Sequence, residues 1–269
     1  MSWITLTFLR FAFADVLFLG YLFLKKGDRV LPPKKDLPAL VALGFLGFTG
    51  YHFLLNLGES NADVTAGTAA LIIASDPAFI ALLAVPLLKQ KLNPVRGAGI
   101  AVAFAGLGVM IFFAHPGSEF RFALSEGALE IVPPAVFTAF YLVLGRRYLE
   151  RYRPFVFVAY TILLGTLLAL PVVLVSWSTF IGDLANLTWS GLFPVLFLAV
   201  GPTFIAYGIW VRALERMPAA AAGAYLYLST LTAVIGGIIL LGETITEAGI
   251  LGGAMVIGGV VVAQQLGRR

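Results

Sequence analysis

Apolar residues run along this chain in long blocks separated by short polar segments. Blocks close to the roughly 20 residues that carry a helix across a hydrocarbon core fall near positions 3–24, 38–57, 64–88, 95–113, 127–145, 155–175, 189–211, 219–241 and 248–266. Their uniform apolarity lacks the alternation of membrane barrel strands, so helices are the expected spanning form, since they satisfy their own backbone hydrogen bonds in lipid. The pattern predicts an all-α polytopic membrane protein with nine transmembrane helices. Composition agrees: 60% of the 269 residues are hydrophobic and 12% charged. The mean hydropathy is +0.96, a balance that one water-soluble globule of this size does not accommodate.

The polar segments set an orientation. "KKGDRVLPPKKD", "KQKLNPVR", "RRYLERYR", "RALERM" and the closing "GRR" follow the first, third, fifth, seventh and ninth blocks. They hold every one of the 18 Lys and Arg residues except Arg10 and Arg121. "GESNAD", "SWSTFIGDLANL" and "GETITE", on the opposite side, hold none. By the positive-inside rule the basic side is cytoplasmic, which places the amino terminus outside and the carboxyl terminus inside the cytoplasmic membrane. The net charge of +4 then reflects topology rather than a nucleic-acid face, and nucleic acid is not an expected partner. Cys is absent and His52 and His115 are the only histidines, so neither a metal nor another cofactor is expected.

The blocks also repeat. Phe48, Tyr51, Glu59, Ala66 and Gly67 fall on Phe204, Tyr207, Glu215, Ala222 and Gly223 at a single offset. After a three-residue slip, Leu88, Gly99, Gly106 and Val109 fall on Leu241, Gly252, Gly259 and Val262. This sets the outward second block on the inward seventh, which is an inverted repeat. Residues 1–114 form a first repeat with four spans and residues 126–269 a second with five. The expected ancestral plan is five plus five, with the first helix of the first repeat absent ahead of Met1. The start of the chain also lacks the short apolar core and cleavage site of a signal peptide.

The stretches "NLGESNADVTAGTAALIIASDPAFIALLAVPLLKQKLNPVRGAGIAVAFAGLGVMI" and "ALERMPAAAAGAYLYLSTLTAVIGGIILLGETITEAGILGGAMVIGGVVVA", with "LTFLRFAFA" near the start, resemble the EamA-type transporters of the drug/metabolite transporter superfamily. The resemblance covers nearly the whole chain. It implies a ten-helix plan of two five-helix copies, with amino acids, their analogues or other small polar metabolites as cargo. It also implies that the absent first helix would contribute to a central pore. Two positions depart from the family pattern: Gln90 stands where Glu is frequent, although Glu243 keeps it in the second copy, and Thr230 stands where the second copy often has the Pro matched by Pro77.

Candidate chemistry centres on "ALIIASDPAFIALLAV", where Asp76 and Pro77 interrupt an apolar block. A lipid-facing carboxylate at mid-bilayer costs about 2.5–3.5 kcal/mol on insertion scales, so Asp76 should face a cavity or a partner. Pro77 removes a backbone N–H and is expected to free the carbonyl of Ile73. The repeat sets Ser229, followed by Thr230, opposite Asp76. Helical spacing adds Ser75 beside it, His52 and Asn56 on the second block, and Tyr225 on the eighth, with Tyr51, Tyr207 and Trp210 as aromatic walls. Asp76, Ser75, His52, Asn56, Tyr51, Tyr207, Trp210, Tyr225, Ser229 and Thr230 are thus the candidate substrate-binding residues, and Asp76 with His52 the candidate proton-coupling pair.

Competing readings stay open. His52 and Asn56 can simply bridge helices, the aromatics can belong to packing or to the interface belt, and Arg10 can snorkel or pair near the outer interface. The glycine series fits close helix packing. The function expected is export or facilitated movement of a small-molecule substrate across the lipid bilayer by alternating access; assembly as a homodimer is open. An intramembrane enzyme is the alternative class, but there is no HExxH helix and no nucleophile elbow. A truncated gene product without transport is a further alternative.

Overall fold

A computed structural model of the protein describes residues 1–24, 32–60, 69, 72–90, 93–113, 126–229, 232, 236, 239 and 246–265. Among these residues every regular element is helical. The elements are α1 (Trp3–Leu24), α2 (Leu37–Glu59), α3 (Asp76–Leu88), α4 (Pro94–Phe113), α5 (Glu126–Leu149), α6 (Pro154–Val175), α7 (Trp177–Ala185), α8 (Trp189–Arg216), α9 (Ala219–Ala224) and α10 (Glu247–Gln265). α1, α2, α6, α8 and the stretch Leu129–Leu149 of α5 are long and apolar enough to cross a membrane, and α3, α4 and α10 supply shorter apolar helices. The all-helical membrane fold expected from the blocks is present. The eighth block is described only at 219–229, 232, 236 and 239.

One element escaped the block pattern. The connection "SWSTFIGDLANL" contains α7, whose Phe180 is buried while Trp177, Ile181 and Leu184 are exposed. A nine-residue helix is too short to register as a span, and its alternation of apolar and polar residues reads as a loop when only long apolar runs are counted.

Contacts divide the chain into two compact units, residues 1–56 with 140–216, and residues 57–139 with 217–269. Each draws on both sequence halves. In the first unit α1, α2 and α8 pack on α6, with Phe18, Phe48, Phe157 and Ile162 fully buried between them. Small residues set the spacing of α2 and α6: a Cβ on Gly44 would lie 2.6 Å from the Thr161 carbonyl oxygen, and one on Gly165 would lie 2.8 Å from the Gly44 carbonyl oxygen. In the second unit α4 lies against α10 around Ala103, Leu107, Val256, Val260 and Ala263, and α3 packs on α9. Here too glycines bring backbones together, as such residues do where helices associate in lipid.

Two helices of the first unit carry π turns, at Phe45–Thr49 in α2 and at Ala199–Ala206 in α8. That of α8 has a local cause. Pro202 has no N–H to give to the helix ladder, and Thr203 Oγ1 donates instead to the Leu198 carbonyl at 2.8 Å. In α2 the hydroxyl of Thr49 donates across to the Gly165 carbonyl at 2.5 Å. Phe48 and Phe204, paired by the sequence repeat, lie in these two turns, and π turns are frequent at functional positions.

Candidate functional site

The second unit holds the carboxylate on which the sequence centres. Its block is two helical pieces rather than one kinked helix: residues 72–73 are helical, Ala74 and Ser75 form a turn, and α3 begins at Asp76. Pro77 therefore sits in a first turn, where a missing N–H costs nothing in hydrogen bonds. Pro77 still has no N–H to offer the Ile73 carbonyl. The carbonyl that serves the break is that of Ile72, which accepts Ser75 N–H at 3.0 Å and Ser75 Oγ–H at 2.5 Å.

Asp76 is 5% exposed at the N-terminus of α3, where the helix dipole favours negative charge. Thr138 of α5 hydrogen-bonds its carboxyl group, and Oδ1 is buried without a partner among the described residues.

A second break lies in the eighth block. α9 ends at Ala224, Tyr225 and Leu226 turn, and residues 227–229 are helical again. The Leu226 carbonyl accepts Ser229 N–H at 3.1 Å and Ser229 Oγ–H at 2.7 Å, the same double bond pattern as at Ser75 and Ile72. Ser75 lies in its turn, whereas Ser229 lies in the helical residues that follow the second turn. Tyr225 and Ser229 are exposed, whereas Tyr227 is 1% exposed, its hydroxyl is buried without a described partner, and it lies within electrostatic reach of Asp76. Tyr227 was missed because its ring falls in an apolar run and reads as packing. Thr230 lies outside the described residues.

In the first unit α2 and α8 present the remaining candidates. The ring centroids of Tyr51 and His52 are 4.7 Å apart, His52 meets Phe11 edge-on at 4.9 Å, and Tyr207 tilts against Phe48 at 5.3 Å. His52 Nε2 is buried and has no described partner. Asn56 is engaged: its Nδ2 donates to Thr7 Oγ1 at 2.9 Å, and Thr7 in turn donates to the Trp3 carbonyl at 2.7 Å, so this amide ties α2 to α1. Trp210 is half-buried and makes no ring contact with this cluster among the described residues.

Two ionisable residues of α1 stood outside the candidate site: Arg10, read as snorkelling or paired near the outer interface, and Asp15, which was not singled out. Arg10 Nε donates to Thr203 Oγ1 at 2.7 Å in the π turn of α8, and its guanidinium lies 5.2 Å from the Phe11 ring centroid. Asp15 is 6% exposed, is hydrogen-bonded by Thr166, and keeps Oδ1 buried without a described partner. The signal for both was present, an ionisable side chain inside an apolar block.

Beyond the span ends two more carboxylates are well satisfied. Asp36, beside α2, accepts Tyr152 O–H at 2.8 Å and faces Arg151 at 3.5 Å; burial first, then this bond to Asp36, pushes the Tyr152 hydroxyl up to about 12. Asp183 of α7 accepts the side-chain and backbone donors of Ser2 at 2.7 and 2.8 Å and the Thr5 hydroxyl at 2.7 Å. Those bonds, Ser2 foremost, hold its carboxyl at about 2.

Broken helices, unpartnered buried polar groups and intramembrane charges are the features of an integral membrane transporter, and comparison with known proteins agrees. Residues 1–112 and 126–264 match the EamA-like transporter family. The chain belongs to that family. It is 31% identical to an uncharacterized transporter of Archaeoglobus fulgidus over 97% of this chain and 88% of that one. It is 32% identical to the uncharacterized transporter YdfC of Bacillus subtilis, over 86% and 72%. It is 31% identical to the probable terminal-alkyne amino-acid exporter of Streptantibioticus cattleyicolor, over 88% and 77%. A crystal structure superposes with a TM-score of 0.80 at 23% identity, covering 100% of this chain and 89% of that one, which shows the fold.

Proposed function

We propose that this protein moves small polar metabolites, amino acids or their analogues, across the cytoplasmic membrane by alternating access, and that transport rather than catalysis is its activity. The observation that carries the reading is the pair of helix breaks, at Ala74 and Ser75 and at Tyr225 and Leu226, with the Asp76 carboxyl buried at the first of them. Discontinuous helices at corresponding positions of two repeats are where inverted-repeat transporters hold solute and coupling ion. The repeats in this reading are residues 1–114 and 126–269, with the amino terminus outside and the carboxyl terminus cytoplasmic. Amino acids are favoured as cargo by the family and by the name of the Streptantibioticus relative.

In this reading each unit is taken by itself: Ser75, Asp76, Tyr225, Ser229 and Thr230 are the proposed solute contacts of the second unit, and Tyr51, His52, Asn56, Tyr207 and Trp210 those of the first. Asp76, with His52, carries the coupled proton: loss of that proton places a full negative charge where Thr138 and a helix N-terminus are the local stabilisers, which changes the affinity for solute. Reconstituted protein should take up amino acids faster when a pH gradient is imposed. Asp76→Asn should abolish that acceleration while exchange down a solute gradient persists. Undiminished pH-driven flux in the variant refutes the proton role, and the absence of flux for every amino acid refutes the cargo class.

A further inference from the structure

We propose that Arg10 is the anchor for the carboxylate of the transported solute, so that cargo must carry a carboxylate group. The inference rests on the transporter reading above and narrows its substrate class.

An arginine in the middle third of a membrane helix is rare and faces the protein interior, where it normally meets an acid or backbone carbonyls. Arg10 departs from that rule. Its Nε is committed to a neutral hydroxyl, Thr203 Oγ1, at 2.7 Å, and among the described residues no carboxylate lies within ion-pair distance of it. The side chain is half-buried. Its two terminal nitrogens are neither sealed without partners nor paired with a described acceptor. A cation so placed, with one edge fixed and the other edge open, is a preorganised receptor for a planar anion.

The fixed edge is itself braced. Thr203 Oγ1 donates to the Leu198 carbonyl at 2.8 Å, the carbonyl that Pro202, without an N–H, leaves free, so the hydroxyl oxygen is left to accept from Arg10. Rings surround the group: the Phe11 centroid lies 5.2 Å from the guanidinium carbon, and Tyr51, His52 and Tyr207 lie within its electrostatic reach. Arginine for a carboxylate and aromatic edges for an apolar group are the two halves of a site for an amino acid with an apolar side chain. The planar fork suits a carboxylate bidentately.

The test uses purified full-length protein and named probes: L-leucine, L-phenylalanine, their carboxamides, and inorganic phosphate. Thermal-shift titrations should show stabilisation by the acids and at least about tenfold weaker binding of the amides, the range for loss of a charge-assisted hydrogen bond. Phosphate should give no shift. Arg10→Gln should erase the preference for acid over amide, and Arg10→Lys, which keeps the charge without the fork, should weaken acid binding yet retain the preference. Should Arg10→Gln fail to fold, the Arg10→Lys and Thr203→Val variants carry the test, the latter lowering acid affinity by freeing the Nε edge. Equal binding of acids and amides by wild type, followed by transport of both, overturns the role of Arg10 while leaving the transporter reading intact. A phosphate shift that depends on Arg10 overturns the carboxylate assignment. Flux of none of the amino acids overturns the cargo class and this inference with it.

Discussion

Gly259 and its neighbour Gly258 make a controlled test of how the second unit is held together. A Cβ on Gly259 would lie 2.5 Å from the Ala103 nitrogen, 2.6 Å from the Gly99 carbonyl oxygen and 2.8 Å from Ala103 Cβ. Comfortable contacts begin near 3.5 Å, so α10 would have to move away from α4 by roughly 0.7–1 Å, and a gap of that size forfeits about a quarter to a half of each dispersion contact along the seam. The obstruction is mostly backbone, which no rotamer change relieves. The contacts at stake are those of Leu107, Val256, Val260 and Ala263. A Cβ on Gly258 meets no described atom within 4 Å.

Both changes to Ala gain the same helix propensity, about 0.8–1 kcal/mol, which cancels in the comparison. What remains is the overpacking cost, about 1–3 kcal/mol. Thermal unfolding of the purified variants in one detergent should therefore order Gly258→Ala at or above wild type, with Gly259→Ala below it. Equal melting temperatures for the two variants would refute the claim that bare backbone contact, rather than side-chain packing, sets the spacing of these helices.

Two pH-linked predictions concern groups outside the spans. Because the Asp183 carboxyl is held at about 2 against an ordinary 3.8, its stabilisation is complete above pH 4–5 and is lost as pH falls through 2; the melting advantage of wild type over Asp183→Asn should shrink steadily across that window, and an advantage unchanged between pH 5 and pH 2 would contradict the assignment. Tyr152 runs the other way: its hydroxyl is raised to about 12 from 10, so its contribution is full below pH 10 and declines as pH rises through 12. Tyr152→Phe should cost about 1.5–3 kcal/mol at neutral pH, the range for a hydrogen bond to a charged group, and should show a flatter alkaline melting profile than wild type.

The class of fold was legible in the chain alone, because burial in hydrocarbon demands long apolar runs and that demand is written residue by residue. α1, α6 and α10 begin and end within a residue or two of the runs that predict them. Phe48 and Phe204, which the sequence sets opposite one another, both lie in π turns. The burial of the Asp76 carboxyl was expected from the apolar block around it.

What each polar group touches was decided only in three dimensions. Periodicity places Asn56 and His52 on one helix face, but it cannot say that Thr7 of α1 stands where the Asn56 amide can use it while His52 Nε2 meets nothing described. It could not give Arg10 a partner 193 residues away in Thr203, nor turn an expected kink at Pro77 into a break at Ala74 and Ser75 whose serine hydroxyl bonds back to the Ile72 carbonyl. The physical reason is range. Hydropathy acts on each residue through its own transfer free energy, whereas a hydrogen bond depends on a donor and an acceptor meeting to within a few tenths of an ångström, and that meeting is set by how close Gly44, Gly165 and the other small residues let the helices come.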